Sequence, residues 1–94
     1  MSFKFTKAPE SKVNIAFQYE GQTLNAVIDA NKITQEVANL NDHALALSMF
    51  VESWDAEDGP PQLKFLRTLP MKFLIPFFAQ CVGEAFPKVM TAEQ

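Results

Sequence analysis

Cysteine, histidine, tryptophan and tyrosine each occur once in this chain of 94 residues, and glycine occurs three times. A lone Cys81 cannot form an intramolecular disulfide. One cysteine and one histidine, His43, far apart in sequence, cannot build a zinc site of the usual Cys/His type. Three glycines are too few for a phosphate-cradling loop, and none of the patterns GxGxxG, GxxxxGKS/T or GxSxG occurs. Basic residues are sparse as well. Eight lysines and arginines are scattered from Lys4 to Lys88 in a chain of net charge −3, with no cluster to neutralise phosphates. Nucleic acid is therefore not an expected partner. No apolar run approaches the roughly 20 residues of a membrane span, and residues 1–7 lack the apolar core of a signal peptide. The expectation is a cytoplasmic protein without membrane contact.

Catalytic chemistry needs a nucleophile with its base, a working pair of carboxylates or a metal set. His43 follows Asp42, a candidate helix cap, and reads as a helix-terminus residue rather than a general base. Glu52, Asp55, Glu57 and Asp58 are clustered, which invites a calcium reading. They lack the oxygen spacing and terminal bidentate glutamate of an EF-hand, and Gly59-Pro60-Pro61 follows them directly. They read instead as a solvated acidic turn. Cys81 has no basic neighbour within three positions to activate its thiol and reads as a small buried hydrophobe. The expectation is a protein that is not an enzyme and that carries no cofactor and no metal.

What the chain does have is apolar residues: 48% hydrophobic, with nine phenylalanines. That suits one small globular domain and not a disordered chain. Residues 1–12 read as an extended arm with Phe3 and Phe5 on one side. Val13, Ile15, Phe17 and Tyr19 then alternate with polar or small residues, and Leu24, Ala26 and Ile28 do so after the turn Glu20-Gly21-Gln22. This period of two predicts a β-hairpin over 13–28. Asp29 can cap a helix carrying the narrow stripe Ile33, Val37 and Leu40. Asp42 can cap a more apolar helix over about 43–54, with Leu47, Phe50, Val51 and Trp54 on one face. The segment Asp55–Pro61 breaks that helix. Leu63 to Leu69 make a turn or two, Thr68 can cap a fresh start at Pro70, and Pro76 should kink or split the last helix near Lys72–Phe73. The helical part extends over 29–87, and 88–94 read as a tail. The expected fold is mainly α with an N-terminal β-hairpin, three to four short helices in one small domain.

Phe73, Phe77, Phe78 and Phe86 fall within fourteen residues, beside Met71, Ile75 and Met90. Each phenylalanine alone could be core. As a set they surround more than one face of a short helix, too many for a domain of this size to bury. Phe73, Phe77, Phe78, Phe86, Met71, Trp54 and Phe50 are therefore the candidate residues for partner binding or self-association.

A larger pattern lies around them. Val51-Glu52-Ser53-Trp54-Asp55 is followed by Glu57-Asp58-Gly59-Pro60-Pro61, then Leu66, Leu69-Pro70 and Leu74-Ile75-Pro76-Phe77-Phe78. This succession resembles the tail assembly chaperones of long-tailed bacteriophages, in particular the small chaperone of siphophages. The Phe3–Phe5 arm and the segment Val13–Leu40 are compatible with it, while residues 51–78 carry the specific pattern. The resemblance implies a non-enzymatic assembly factor in the cytoplasm of an infected bacterium, absent from the mature virion. Such a factor binds the helical tape measure protein, keeps it soluble, helps recruit tail tube protein around it, and acts as a homo-oligomer. A longer form made by frameshifting often accompanies the short one. The same size and surfaces would also suit a small structural tail or head–tail connector protein, or a host protein-binding adaptor.

Overall fold

A computed structural model of the chain describes residues 12–86; the readings placed on residues 1–11 and 87–94 lie outside it. Strands β1 (Lys12–Tyr19) and β2 (Gln22–Asp29) pair antiparallel in unbroken register, from Lys12 opposite Asp29 to Tyr19 opposite Gln22. The two-residue loop Glu20-Gly21 closes them with φ of 49° and 80°. Positive φ at both positions is the turn geometry whose twist matches that of paired strands, and the glycine takes it without strain. Ile15, Phe17, Ala26 and Ile28 fill the inner face of the hairpin, as the alternation predicts.

The expectation of a mainly α domain with a two-stranded hairpin is overturned by a third strand. The helix predicted over 43–54 stops at Phe50. It is α2 (His43–Phe50), and Val51–Trp54 leave it directly as β3. β3 pairs antiparallel with β2, which becomes the centre of a three-stranded sheet in the order β1-β2-β3. Val51 lies opposite Ile28, Ser53 opposite Val27 and Trp54 opposite Ala26, so Glu52 is an extra residue at a bulge. The bulge explains the misreading. It brings Val51 and Trp54, three apart, to the same side of the sheet, and that spacing is a helical one. The result is a small α+β domain in which the sheet is a full layer.

The helix expected after Asp29 is also shorter. Asp29 accepts from the Asn31 N–H and opens only the 3-10 turn Ala30–Lys32. Thr34 then caps α1 (Gln35–Ala38) by accepting from the Val37 N–H. Asn31, Thr34 and Asn39 all favour turns and caps over helix interiors. Ile33 and Val37 still reach the core. Asp42 caps α2 as expected, through the Leu45 N–H.

The segment 55–62 is irregular and leads into α3 (Leu63–Leu66). Thr68 is not the cap of the last helix: its hydroxyl donates to the Phe65 carbonyl, and Pro70 is the residue before α4 (Met71–Ala85). Pro76 does not split α4, which runs for 15 residues. The carbonyl deprived of its partner belongs to Lys72. Lys72 and Pro76 are both exposed, so water can satisfy it. α4 packs on β1 and α2, and α3 packs on α2. Phe50, Leu47, Leu66, Phe77 and Cys81 are sealed between the helices and the sheet. Ion pairs tie the periphery: Glu52 at the bulge bridges Lys12 and Lys32, Arg67 reaches Asp42, and Lys72 reaches Glu20. Exposed pairs of this kind add little stability each.

Candidate functional site

The seven candidate residues separate into two groups. Phe50, Phe73 and Phe77 are core, with 1%, 7% and 0% exposure. Phe77 stands 5.2 Å from Phe17, 5.3 Å from Phe73 and 6.1 Å from Trp54, centroid to centroid. The strands supply the cover that the helices alone could not: Phe17 and Tyr19 both meet Phe73 nearly edge-on. Phe50 and Phe77 are not available to a partner of the folded domain. Phe78 and Phe86 are half-buried at the margin of the core, Phe78 against His43 at 5.0 Å and Phe50 at 6.1 Å. Trp54 is half-buried, and Met71 is 51% exposed.

Met71 is the start of a stripe. Met71, Ile75 and Ala79 recur at i, i+4 and i+8 and face solvent on α4, with Pro76 beside them and Ile75 46% exposed. Phe78 and Val82 lie half-buried along its edge. The opposite side of the helix, Phe73, Leu74, Phe77 and Cys81, is the one turned to the core. Two apolar faces on one helix therefore have different fates, one buried and one open. Ile75 and Ala79 are not among the sequence-derived candidates. The sequence signal for them is their recurrence at four-residue intervals from Met71.

A second feature lies at the hairpin-turn end of the sheet, beside the start of α4. Tyr19, Leu24, Trp54, Phe65 and Phe73 line a groove of about 500 Å³, open to solvent. Trp54 is its centre, 6.3 Å from Phe65 and 6.2 Å from Phe73, both rings steeply inclined to it. The indole N–H donates to the Gly59 carbonyl at 2.7 Å, which pins the loop. The rim is acidic: Asp55, Glu57 and Asp58 line it, and among the described residues no lysine or arginine does. Asp55 is held rigidly. One carboxylate oxygen accepts from the Asn25 N–H and the other from the Asn25 side-chain amide, both at 2.9 Å. The Asn25 side chain, with its backbone N–H second, lowers the pKa of the Asp55 carboxyl below its ordinary value.

The remaining chemistry-bearing groups are quiet. Burial pushes the Cys81 thiol up to about 12, with Glu84 adding to the shift, so it stays protonated at neutral pH. The His43 Nδ1 is buried without a hydrogen-bond partner. Among the described residues no three metal-ligating side chains come together, and no helix is long and apolar enough to cross a membrane. Comparison with family models, with curated proteins and with solved structures finds no match to this chain. The surfaces are therefore read from their own geometry.

Proposed function

We propose that this protein is a non-enzymatic tail assembly chaperone of a bacteriophage, binding amphipathic helical segments of the tape measure protein through the open face of α4. The observation that carries the reading is the Met71–Ile75–Ala79 stripe on a helix whose other face is already buried. A long client helix leaves an apolar stripe that aggregates unless covered. A ridge of methionine, isoleucine and alanine gives such a stripe an adaptable, low-relief surface to lie against. Several copies along one client, in contact with one another, would add avidity without strong individual contacts. The resemblance over residues 51–78 supplies the identity of the client and the role of the complex, in which tail tube protein is recruited around the client.

Co-expression with the tape measure protein of the same phage tests this. The expected result is a soluble complex that co-elutes on size exclusion, with the client insoluble when expressed alone. A client whose solubility is unchanged by the protein, with no complex formed, would overturn the proposal. Mass spectrometry of purified virions separates it from a structural tail or connector role, which requires stoichiometric incorporation.

A further inference from the structure

The groove around Trp54 is distinct from the α4 stripe, and its chemistry asks for a different occupant. Tyr19, Trp54, Phe65 and Phe73 give it an aromatic floor, and Asp55, Glu57 and Asp58 give it an anionic rim. Among the described residues no ring lies parallel to the half-buried indole: Phe65, Phe73 and Phe77 are inclined to it by 88°, 70° and 45°. Its N–H is already given to the Gly59 carbonyl, so what the indole offers a ligand is its π system. The negative face of such a ring attracts cations. The three carboxylates of the rim are exposed and add to that attraction. Asp55 is fixed by the Asn25 N–H and side-chain amide, at 2.9 Å each. Glu20, Asp42 and Glu52 are each answered by a lysine or arginine, but among the described residues no ion pair reaches Asp55, Glu57 or Asp58.

We propose that this groove docks an extended segment of another protein that presents an arginine between apolar residues, with the guanidinium against Trp54 and its N–H groups directed at the carboxylates of the rim. Arginine suits the groove better than lysine. The planar guanidinium is weakly hydrated and stacks on an aromatic face, while its N–H donors point outward in the same plane, where carboxylates can accept them. A lysine ammonium is strongly hydrated and meets ring and carboxylate as a point charge. A peptide suits it better than a free cation. The groove measures about 500 Å³, and its apolar surface continues beyond the rings over Leu24, Leu69 and Pro70. The residues flanking the arginine cover that remainder. A second copy of this chain is a poor match, because its only arginine, Arg67, is already paired with Asp42 at 2.7 Å. The contact is separate from the client helix on α4, and either can form without the other.

Trp54 is the chain's only tryptophan and reports directly on the groove. The probe is an acetylated and amidated peptide, Gly-Leu-Arg-Leu-Gly, titrated into the full chain at low salt and followed by Trp54 emission and NMR chemical shifts. The comparisons are the same peptide with citrulline, which keeps the shape and loses the charge, the same peptide with lysine, and tetramethylammonium alone. The expected result is saturable binding of the arginine peptide that shifts Trp54 emission and weakens as salt rises. Affinity should fall about tenfold with citrulline, and about tenfold in Glu57→Gln/Asp58→Asn protein. The lysine peptide and tetramethylammonium should bind more weakly than the arginine peptide. Met71→Ser/Ile75→Ser, which alters the α4 stripe alone, should bind the arginine peptide like wild type, so the groove and the α4 surface are tested separately. Far-UV circular dichroism should be the same for all three proteins. No binding of the arginine peptide, or equal binding of the citrulline peptide, would overturn the proposal. Tetramethylammonium or the lysine peptide binding as tightly would also overturn it, by assigning the groove to ammonium ligands. Loss of binding in the α4 variant would overturn it by moving the site to the helix.

Discussion

Replacing Gly59 by alanine should destabilise the domain although the new side chain is a single methyl group. A Cβ at this position would stand 2.6, 2.7 and 2.8 Å from three ring carbons of Phe65. Relaxed carbon contacts lie near ~3.5–4.0 Å, so the ring must retreat by about 1 Å. Its freedom to do so is restricted, because it leans edge-on against Trp54, whose N–H is bound to the Gly59 carbonyl. Crowding of this kind typically costs ~1–3 kcal/mol. Loosening the Trp54–Phe65 pair alone is worth ~0.5–1.5 kcal/mol. Reduced freedom of the unfolded chain returns ~0.4–1 kcal/mol. The net expectation is a loss of about 1–2 kcal/mol, which lowers Tm by roughly 4–15 °C in a domain of this size. Thermal and urea unfolding, followed by Trp54 emission and far-UV circular dichroism, measure it. In a Phe65→Ala background the same change should cost less than about 0.5 kcal/mol, because the obstructing ring is gone. Asp58→Ala, on the exposed rim beside it, should stay within about 0.5 kcal/mol of wild type. A Gly59→Ala protein as stable as wild type would refute the reasoning, since it would mean that Phe65 does not close over the loop.

The remaining predictions concern the core and its titrating edge. Phe77→Ala removes a fully buried ring and should cost ~3–5 kcal/mol, read as a drop in the urea midpoint; a loss below about 1 kcal/mol would contradict its place in the core. Asp42, Glu52 and Asp55 have pKa values lowered below 3.8, 4.5 and 3.8, chiefly by the Leu45 N–H, Lys12 and the Asn25 side chain respectively. Each contributes stability that is present above its ordinary value and lost as pH falls through the lowered one. The urea midpoint should therefore hold from pH 7 to about 5 and decline below about 4.5, and Asp55→Asn should flatten that decline; an acid limb as steep as wild type would contradict the Asn25 clamp. Cys81 should resist a thiol reagent at pH 8 in the native protein and react fully in denaturant, whereas rapid native labelling would show it exposed.

The hairpin was legible because nothing interrupts its period of two, and Glu20-Gly21 supplies a turn that matches it. The third strand was not, because the bulge at Glu52 gives Val51 and Trp54 a helical spacing within a strand. Capping chemistry is local and legible at Asp42, whereas Asp29 opens only a short turn before Thr34 restarts the chain. The phenylalanine excess was visible, yet its division into core and surface depends on which strand residues lie against α4. Phe17 and Tyr19 cover Phe73 and Phe77 from more than fifty residues away, which no local pattern reveals. The groove is hidden for the same reason, since Tyr19, Trp54, Phe65 and Phe73 meet only in the folded chain. The α4 stripe, by contrast, needs only the spacing of residues 71, 75 and 79 and the burial of the opposite face.

The central claim is that this open face of α4 binds the client. The most direct test is the double variant Met71→Asp/Ile75→Asp, co-expressed with the tape measure protein beside the wild type. Both side chains are about half exposed, so the variant should keep its circular dichroism spectrum and its unfolding midpoint within about 1 kcal/mol. The account predicts that this folded variant leaves the client insoluble and forms no complex with it. A folded variant that still solubilises and co-elutes with the client would contradict it.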